Sequence, residues 1–313
     1  MIVRREAVLS SQIEGTQSTL EDLLEAELDD QRVADSDVSD IVGYVRALNY
    51  GLARLRELPL SLRLIREIHN ELLRDGRGAE KTPGEFRRSQ NWIGPPGSDL
   101  LRATFIPPPV HEMKSALGDL ERYLHSPVYP PLVDIGLAHA QFETIHPFLD
   151  GNGRVGRLLI TLLLVHRGVL RGPLLYLSYF LKRNRTEYYD RLTAIREHGD
   201  WEGWMRFFLR GVAETAREAS LSAERIFALR ESHRLLLIEA GLGPKALLLL
   251  SNLFNHPVIN VALAADLSGT SFATANKLVR AFQEIGLLRE ITGQKRRRVF
   301  RYDSYVDLFS EPS

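Results

Sequence analysis

The chain contains no cysteine, which excludes disulfides, thiolate metal sites and cysteine catalysis and suits a reducing compartment. It has no net charge either, because 40 Lys and Arg balance 40 Asp and Glu. No global field therefore demands nucleic acid or an anionic membrane, and any basic surface must be local. Long apolar runs are missing too. The most extended, Leu158–Val165 and Ala246–Leu250, fall far short of the roughly 20 residues of a membrane span. Met1-Ile2-Val3-Arg4-Arg5-Glu6 offers no apolar core for a signal peptide. There is no low-complexity tract and no internal repeat. These absences predict a soluble cytoplasmic protein with no membrane partner. What remains is 44% hydrophobic and 26% charged over 313 residues, which is ordinary for a globular protein. The length suits two domains, or one with an appendage.

Chemistry is concentrated in His146-Pro147-Phe148-Leu149-Asp150-Gly151-Asn152-Gly153-Arg154-Val155-Gly156-Arg157, followed at once by the apolar run of a buried helix. Gly-Asn-Gly at a helix mouth brings backbone close to a ligand and aims free N–H groups at it. Such N-termini favour anions and commonly hold phosphates. Arg154 and Arg157 share one helical face and can fork onto the same polyphosphate. Asp150, just ahead of the turn, is placed to hold Mg²⁺ together with phosphate oxygens. His146 titrates near neutrality and can take a proton from an incoming hydroxyl. The segment predicts a nucleotide-chemistry site.

This string resembles the signature of the Fic family, His-x-Phe-x-(Asp/Glu)-Gly-Asn-Gly-Arg-x-x-Arg, at every specified position. The resemblance implies transfer of AMP from ATP, with Mg²⁺, to a protein hydroxyl. His146 would be the base and Asp150 the Mg²⁺ ligand. Gly151, Asn152, Gly153 and Arg154 would form the phosphate cradle, and Arg157 would grip the γ-phosphate. His139, Glu143 and His146 stack at helical spacing but lack the His-Glu-x-x-His order of a zinc site; His139 is expected to make a buried hydrogen bond that positions the loop.

Elsewhere helical periodicity dominates, in Ile41–Leu55, Leu60–Leu73, Leu132–Thr144, Leu158–Arg167, Arg185–Glu197, Trp201–Arg217 and Leu221–Glu239. Trp201, Trp204, Phe207 and Phe208 form one apolar stripe and read as core. Phe86 to Val110 differs: two short β-favouring runs around a Pro/Gly/Asp loop read as a hairpin, closed by Pro107-Pro108-Pro109. It is similar to the Fic flap, which holds a target segment by strand addition. The protein target would dock at 91–108, with Arg102, Ala103, Thr104 and Phe105 lining the nucleotide side. By the same resemblance Tyr188 packs near the adenine and Arg196 closes that pocket, although some relatives carry Asn there.

Ser10-Ser11-Gln12-Ile13-Glu14-Gly15 resembles the Fic inhibitory motif, with Ser10, Glu14 and Gly15 at the specified places. A carboxylate that pairs with Arg157 takes the guanidinium meant for the γ-phosphate and misaligns ATP, and phosphoryl chemistry depends on positioning. The local pattern also ends one helix at Gly15 and opens another at Thr19-Leu20-Glu21-Asp22. Relatives often carry more sequence ahead of this helix.

From Pro244 the character changes. Helices over Ala246–Phe254, Ala262–Leu267 and Ser271–Ile285 precede strands Leu287–Ile291 and Val299–Tyr302, which enclose a basic tip, Lys295 to Arg298. This is a winged helix-turn-helix pattern. Thr274, Asn276, Lys277 and Arg280 could enter a groove of DNA while the wing meets phosphates; otherwise the domain is a protein-interaction or homodimer module. The expected fold is all-α: a Fic helical core with a β-hairpin flap, plus a small C-terminal winged helix domain. The expected division is 1–39 with the inhibitory helix, core 40–219, helical linker 220–243 and winged helix 244–313. A self-inhibited protein adenylyltransferase is the first reading. The alternatives are a DNA-binding regulator with a nucleotide-sensing core, and a Fic enzyme that removes AMP.

Overall fold

Helical patterning is realised along almost the whole chain. A computed structural model describes residues 1–28, 36–94, 97 and 99–309. The helices are α1 (Ile2–Ile13), α2 (Leu20–Ala26), α3 (Ser36–Arg54), α4 (Leu62–Leu73), α5 (Val110–His125), α6 (Pro131–Ile145) and α7 (Asn152–His166). They continue with α8 (Leu177–Arg183), α9 (Arg185–His198), α10 (Trp201–Glu239), α11 (Pro244–Leu253), α12 (Val261–Ser268), α13 (Phe272–Glu284) and α14 (Asp303–Val306). Three short strands, β1 (Val258–Asn260), β2 (Arg289–Glu290) and β3 (Val299–Arg301), complete the set. Among the described residues no helix is long and apolar enough to cross a membrane.

The chain divides into two compact units. One gathers Ile2–Thr19 with Val33–Ala216, and the other Met1, Leu20–Arg32 and Arg217–Ser313. Thus α1 belongs to the first and α2, its neighbour in sequence, to the second.

In the first unit α7 is the central helix, with α1, α3, α4 and α6 packed on it. After Arg157 its sequence is almost wholly apolar, and Val155, Leu158, Leu159, Ile160, Leu162, Leu163 and Leu164 are all buried, as expected of a helix enclosed by others. Each such leucine contributes about 1.5–3 kcal/mol on burial. α4 is amphipathic instead: Ser61 caps it by accepting from Leu64 N at 3.4 Å, and Leu64, Ile65, Ile68 and Leu72 form the buried stripe. α6 starts on Pro131 and ends at His146, whose φ of 47° and ψ of 61° are left-handed. A non-glycine residue there is uncommon, and such conformations concentrate at functional sites. Gly151 then enters α7 with φ 74°, where a side chain would be strained.

The second unit contains a three-stranded antiparallel sheet in the order β1-β3-β2. Ile259 pairs with Phe300 across β1 and β3, and Glu290 pairs with Phe300 across β2 and β3. Asn260 caps α12 by accepting from Leu263 N at 2.8 Å, and Ser271 caps α13 by accepting from Thr274 N at 3.3 Å. Leu24 of α2 is buried with Val258 and Val306, and Leu20, Leu28, Ile291 and Val299 pack around them.

Several expectations are corrected. The two helices expected over Trp201–Arg217 and Leu221–Glu239 are one helix, α10, because Glu218, Ala219 and Ser220 between them contain no breaker. Trp204, Phe207 and Phe208 are buried, whereas Trp201, at the first turn, is 37% exposed. The hairpin at 86–110 is reduced to one bridge, Ile93 with Phe105, and a short 3-10 turn covers Leu100–Arg102. The prolines at 107–109 remove the donors a longer ladder needs. Pro95, Pro96 and Ser98 of its loop lie outside the described residues. α5, α8 and β1 were not anticipated.

Candidate active site

The loop from His146 to Gly151 is braced from three sides. Asn152 accepts from Phe148 N at 2.8 Å through Oδ1 and returns a bond from Nδ2 to Phe148 O at 2.8 Å. Its amide is therefore spent on shaping the turn, and the cradle offered to a ligand is backbone. By helix geometry the first N–H groups of α7, at Asn152, Gly153 and Arg154, have no intrahelical acceptor. His69 stacks on Phe148 with ring centroids 3.7 Å apart. Its Nδ1 accepts from Gly84 N at 2.8 Å, so its Nε2 is the donor to Asp150 O at 3.1 Å. Burial pushes the His69 pKa down to about 4, which keeps that neutral tautomer.

Arg87 is the third brace. It is 1% exposed, and it donates from Nε to His146 O at 3.1 Å and from its backbone N to Pro147 O at 2.9 Å. Nη2 reaches Pro108 O at 2.5 Å. The loop from His146 to Gly151 and the segment at Pro108 are thus tied to one guanidinium. Asn91 adds a bond from Nδ2 to Phe148 O at 2.9 Å.

Arg154 and Arg157, expected to share a face, are both buried at 2% exposure. Arg154 lies 3.2 Å from Asp40 Oδ1 and 3.5 Å from Asp150 Oδ1. Asp40 is itself fully buried and also faces Arg77 at 3.2 Å. Asp150 is 37% exposed, and its Oδ1 accepts from Gly151 N at 2.5 Å. A single half-exposed carboxylate beside a phosphate cradle fits Mg²⁺ whose remaining ligands are phosphate oxygens and water. It does not fit a self-contained protein cage, and among the described residues no cluster of three metal-ligating side chains occurs.

Arg157 is occupied by the N-terminal helix. Its Nε donates to Ser10 Oγ at 2.7 Å, and Nη2 donates to Ser10 O at 3.1 Å and to Glu14 Oε1 at 2.7 Å. A Cβ at Gly153 would lie 2.3 Å from Glu14 Oε1, so the glycine is what admits the carboxylate to the helix mouth. Burial alone would raise the Glu14 pKa, but the charge and hydrogen bond of Arg157, with help from Arg154 and His146, hold it below the ordinary glutamate range. Gly15 follows with φ 100° and turns the chain away.

His146 carries a pKa lowered to about 4, first by burial and then by Arg196, while Glu14 and the Glu143 carbonyl pull the other way. The imidazole is neutral at physiological pH, the form a general base requires. Its Nδ1 is buried with no hydrogen-bond partner among the described residues. Arg196 holds the end of α6 just before it, donating from Nη2 to Glu143 O at 3.2 Å. The same guanidinium lies 3.8 Å over the ring of Phe105, so a flap residue and an α9 residue meet beside the loop. Thr104 donates its backbone N to Ile93 O at 2.8 Å. Ala103 is half-buried, and Arg102 is exposed.

Tyr188 lies elsewhere than the adenine reading expects. It is fully buried, and its hydroxyl meets His139 Nε2 at 2.9 Å, so it has no face free for a base. His139 also bonds Gly156 O through Nδ1 at 3.0 Å and supports the first turn of α7 from behind. Two buried carboxyls stand nearby. Glu143 is pushed up to about 7 by burial against the pull of Arg157, and its Oε1 has no hydrogen-bond partner among the described residues. Glu6 is likewise pushed up to about 7 by burial; it accepts from Ser178 Oγ at 2.6 Å and from Tyr44 OH at 3.4 Å.

Asp40, Arg87, His69, Asn91, Glu6 and Ser178 are the site residues that sequence reasoning missed. They are polar residues scattered over α1, α3, α4, α8 and the loop between α4 and α5, and none carries a spacing signal.

Residues 59–164 match the family model described as Fic/DOC family, and residues 1–53 that of the Fic/DOC family N-terminal region. The chain is similar to the protein adenylyltransferase Fic of Drosophila melanogaster, 32% identical over 173 residues, which is 54% of this chain and 32% of that protein. The counterpart from Aedes aegypti is 32% identical over 174 residues, 54% of this chain and 31% of that protein. The chain thus spans about a third of the length of the curated relatives it matches. Among solved structures, a Fic family protein from Desulfovibrio desulfuricans shares the fold with a TM-score of 0.60 at 20% identity, covering 96% of this chain and 86% of that one. A Fic domain containing signaling protein from Bacteroides thetaiotaomicron gives 0.55 at 18% identity, over 69% of this chain and 85% of that one.

Proposed function

The chain belongs to the Fic/DOC family, and on that premise we propose that it is a self-inhibited protein adenylyltransferase. It moves AMP from ATP to a Ser, Thr or Tyr hydroxyl of a protein, itself included. The acceptor oxygen attacks the α-phosphorus, the bond to the β-phosphate oxygen breaks, and pyrophosphate leaves. The hydroxyl proton passes to His146, whose lowered pKa keeps it available as a base. The N–H groups at the mouth of α7 and the Arg154 guanidinium cradle the phosphates, with Arg154 aimed by Asp40. Asp150 would hold Mg²⁺, which neutralises the phosphate charge. Arg157 would grip the γ-phosphate and align the α-phosphate in line with the nucleophile. The edge of the flap near Ile93 and Phe105 would pair with main chain of the target. The C-terminal unit is read as a winged helix, supported by α11, α12 and α13 together with the β1-β3-β2 sheet, whose first strand falls between α11 and α12.

The observation that carries this reading is the Ser10–Arg157–Glu14 clamp. It places a carboxylate on the one guanidinium that the γ-phosphate needs. Incubation with α-labelled ATP and Mg²⁺ tests it. Glu14→Gly should raise self-labelling by roughly 10²-fold or more, the scale of one correctly placed transition-state donor. Equal labelling of wild type and variant sinks the inhibitory assignment. The gain should vanish in Glu14→Gly/Arg157→Ala. His146→Ala should abolish transfer and leave ATP affinity within a few-fold, because a base acts on the nucleophile.

A further inference from the structure

Glu14 directly follows α1 in the first unit, yet the chain that leaves it soon joins the second. Gln12 donates to Ser18 O at 3.0 Å, and Gln17 N donates to Asp37 at 2.8 Å, which holds the connection to the first unit up to Thr19. At Leu20 α2 begins, and it is built into the second unit through Leu24 and its neighbours Val258 and Val306. Arg301 of β3 also pairs with Glu21. α2 is therefore a strap, fixed in one unit and joined by a short segment to the inhibitory residue in the other.

The same helix forms a wall of a cavity of about 790 Å³ within the second unit, lined by Glu25, Asn276, Lys295, Arg296, Arg297 and Arg298. Arg298 donates to Asn276 Oδ1 at 3.1 Å. Among the described residues Lys295, Arg296 and Arg297 have no acidic partner, although whole-chain charges balance. Unpaired cations gathered in a concave site call for a polyanion. Beside them α13 exposes Thr274, Lys277 and Arg280. A basic helix next to a basic hairpin matches the groove and flanking backbone of a duplex. α2 brings the opposite charge, with Glu21 and Asp22 in its first turn and Glu25 on the cavity wall.

We propose that this basic cavity takes the phosphate backbone of a duplex nucleic acid, and that α2 carries its occupancy along the chain to the Glu14 clamp. Phosphates entering beside Glu25 repel the acidic wall. A displaced α2 pulls on Thr19, breaks the Gln12–Ser18 and Gln17–Asp37 bonds that hold the connection, and so draws the Glu14 carboxylate from Arg157. The coupling rests on the reading of Glu14 as inhibitory; the binding does not.

The test uses the full chain with a fluorescent duplex DNA of mixed sequence. Anisotropy should show binding at low salt that weakens by about 0.9 log units per log unit of salt for each phosphate contact. Arg296→Ala/Arg297→Ala should flatten that slope, and Glu25→Gln should tighten binding roughly two- to five-fold, the effect of one exposed charge. The duplex should raise self-labelling of wild type several-fold, leave Glu14→Gly unchanged, and have no effect on the wing double variant. No duplex binding at low salt overturns the proposal, as does capture of an acidic polypeptide instead. Duplex binding without a change in wild-type labelling overturns the strap while Glu14→Gly remains hyperactive. A Glu14→Gly variant no more active than wild type instead overturns the reading of the clamp.

Discussion

Arg154 and Arg157 are the same residue type on the same helix, one turn apart and equally buried, and they differ in what holds them. Arg154 is fixed by Asp40, which is fully buried, and by Asp150 of its own loop. Arg157 is held by Ser10 and by Glu14, whose side chain is 33% exposed. In the first partnership the Asp40 half is sealed inside the unit, although Asp150 reaches the surface. The second reaches the surface and leaves Ser10 as a residual acceptor when Glu14 goes. Burial of an arginine thus does not decide whether it is scaffold or switch; what decides is whether one of its carboxylate partners is fully buried, as Asp40 is and Glu14 is not.

The sharpest way to break this comparison is to remove each carboxylate and measure stability. Asp40→Ala should cost about 3–5 kcal/mol in chemical denaturation, because it leaves a buried guanidinium without its main counter-charge. Glu14→Gly should change stability by no more than about 1 kcal/mol while self-labelling rises. Similar losses for both variants would erase the distinction between scaffold and switch.

Glu143 sharpens the Arg157 side. Its carboxyl is raised from 4.5 to about 7, chiefly by burial, while Glu14 adds repulsion and Arg157 opposes it. The folded state therefore keeps a proton that the unfolded chain releases, and stability falls as pH rises from 4.5 through about 7. Glu143→Gln should remove that slope and gain on the order of 1–3 kcal/mol over wild type at pH 8 relative to pH 5. Thermal melts at the two pH values decide it. A constant difference between the proteins would mean that Glu143 is ionised in the fold. Glu6, raised to about 7 by burial, should behave in the same sense.

A smaller effect is expected in the pH dependence of the released enzyme. Glu14 raises the His146 pKa, so its removal should leave that group at or below about 4. Transfer by Glu14→Gly should be nearly flat between about pH 6 and 8. An acid limb with its midpoint near the ordinary histidine value of 6.5 would show that burial does not depress the base. A purely steric change is predicted for Gly156→Ala. A Cβ there would lie 2.2 Å from Glu143 Oε1, so the carboxyl must shift. A modest loss of stability, about 1–3 kcal/mol, should shrink when combined with Glu143→Ala.

The parts of the site that were legible in sequence are contiguous. His146 to Arg157 advertised its chemistry because a loop entering a helix fixes backbone N–H direction and side-chain face within one turn. The pairing of α1 with Arg157 was legible only through resemblance, since nothing local ties position 14 to position 157. α5 carried a readable pattern, with Met113, Leu117, Leu120 and Leu124 on one buried stripe. The triple proline before it masked the start of a new helix. Tyr188 shows the reverse error. Resemblance placed it near the adenine, and packing buries it completely with its hydroxyl on His139.

The sequence by itself determined that a histidine, an aspartate, a glycine turn and two arginines meet at the mouth of one helix, because all of them lie within one short run whose geometry is local. Only the tertiary structure decided that Arg154 belongs to Asp40 and Arg157 to Glu14, that Arg87 ties the loop to the flap, and that α2 packs with the C-terminal strands. Those partners are separated by tens to hundreds of residues, and side-chain spacing carries no information at that range. Which distant polar group meets a buried charge is settled by how apolar faces pack, since each charge taken from water must find its counterpart there.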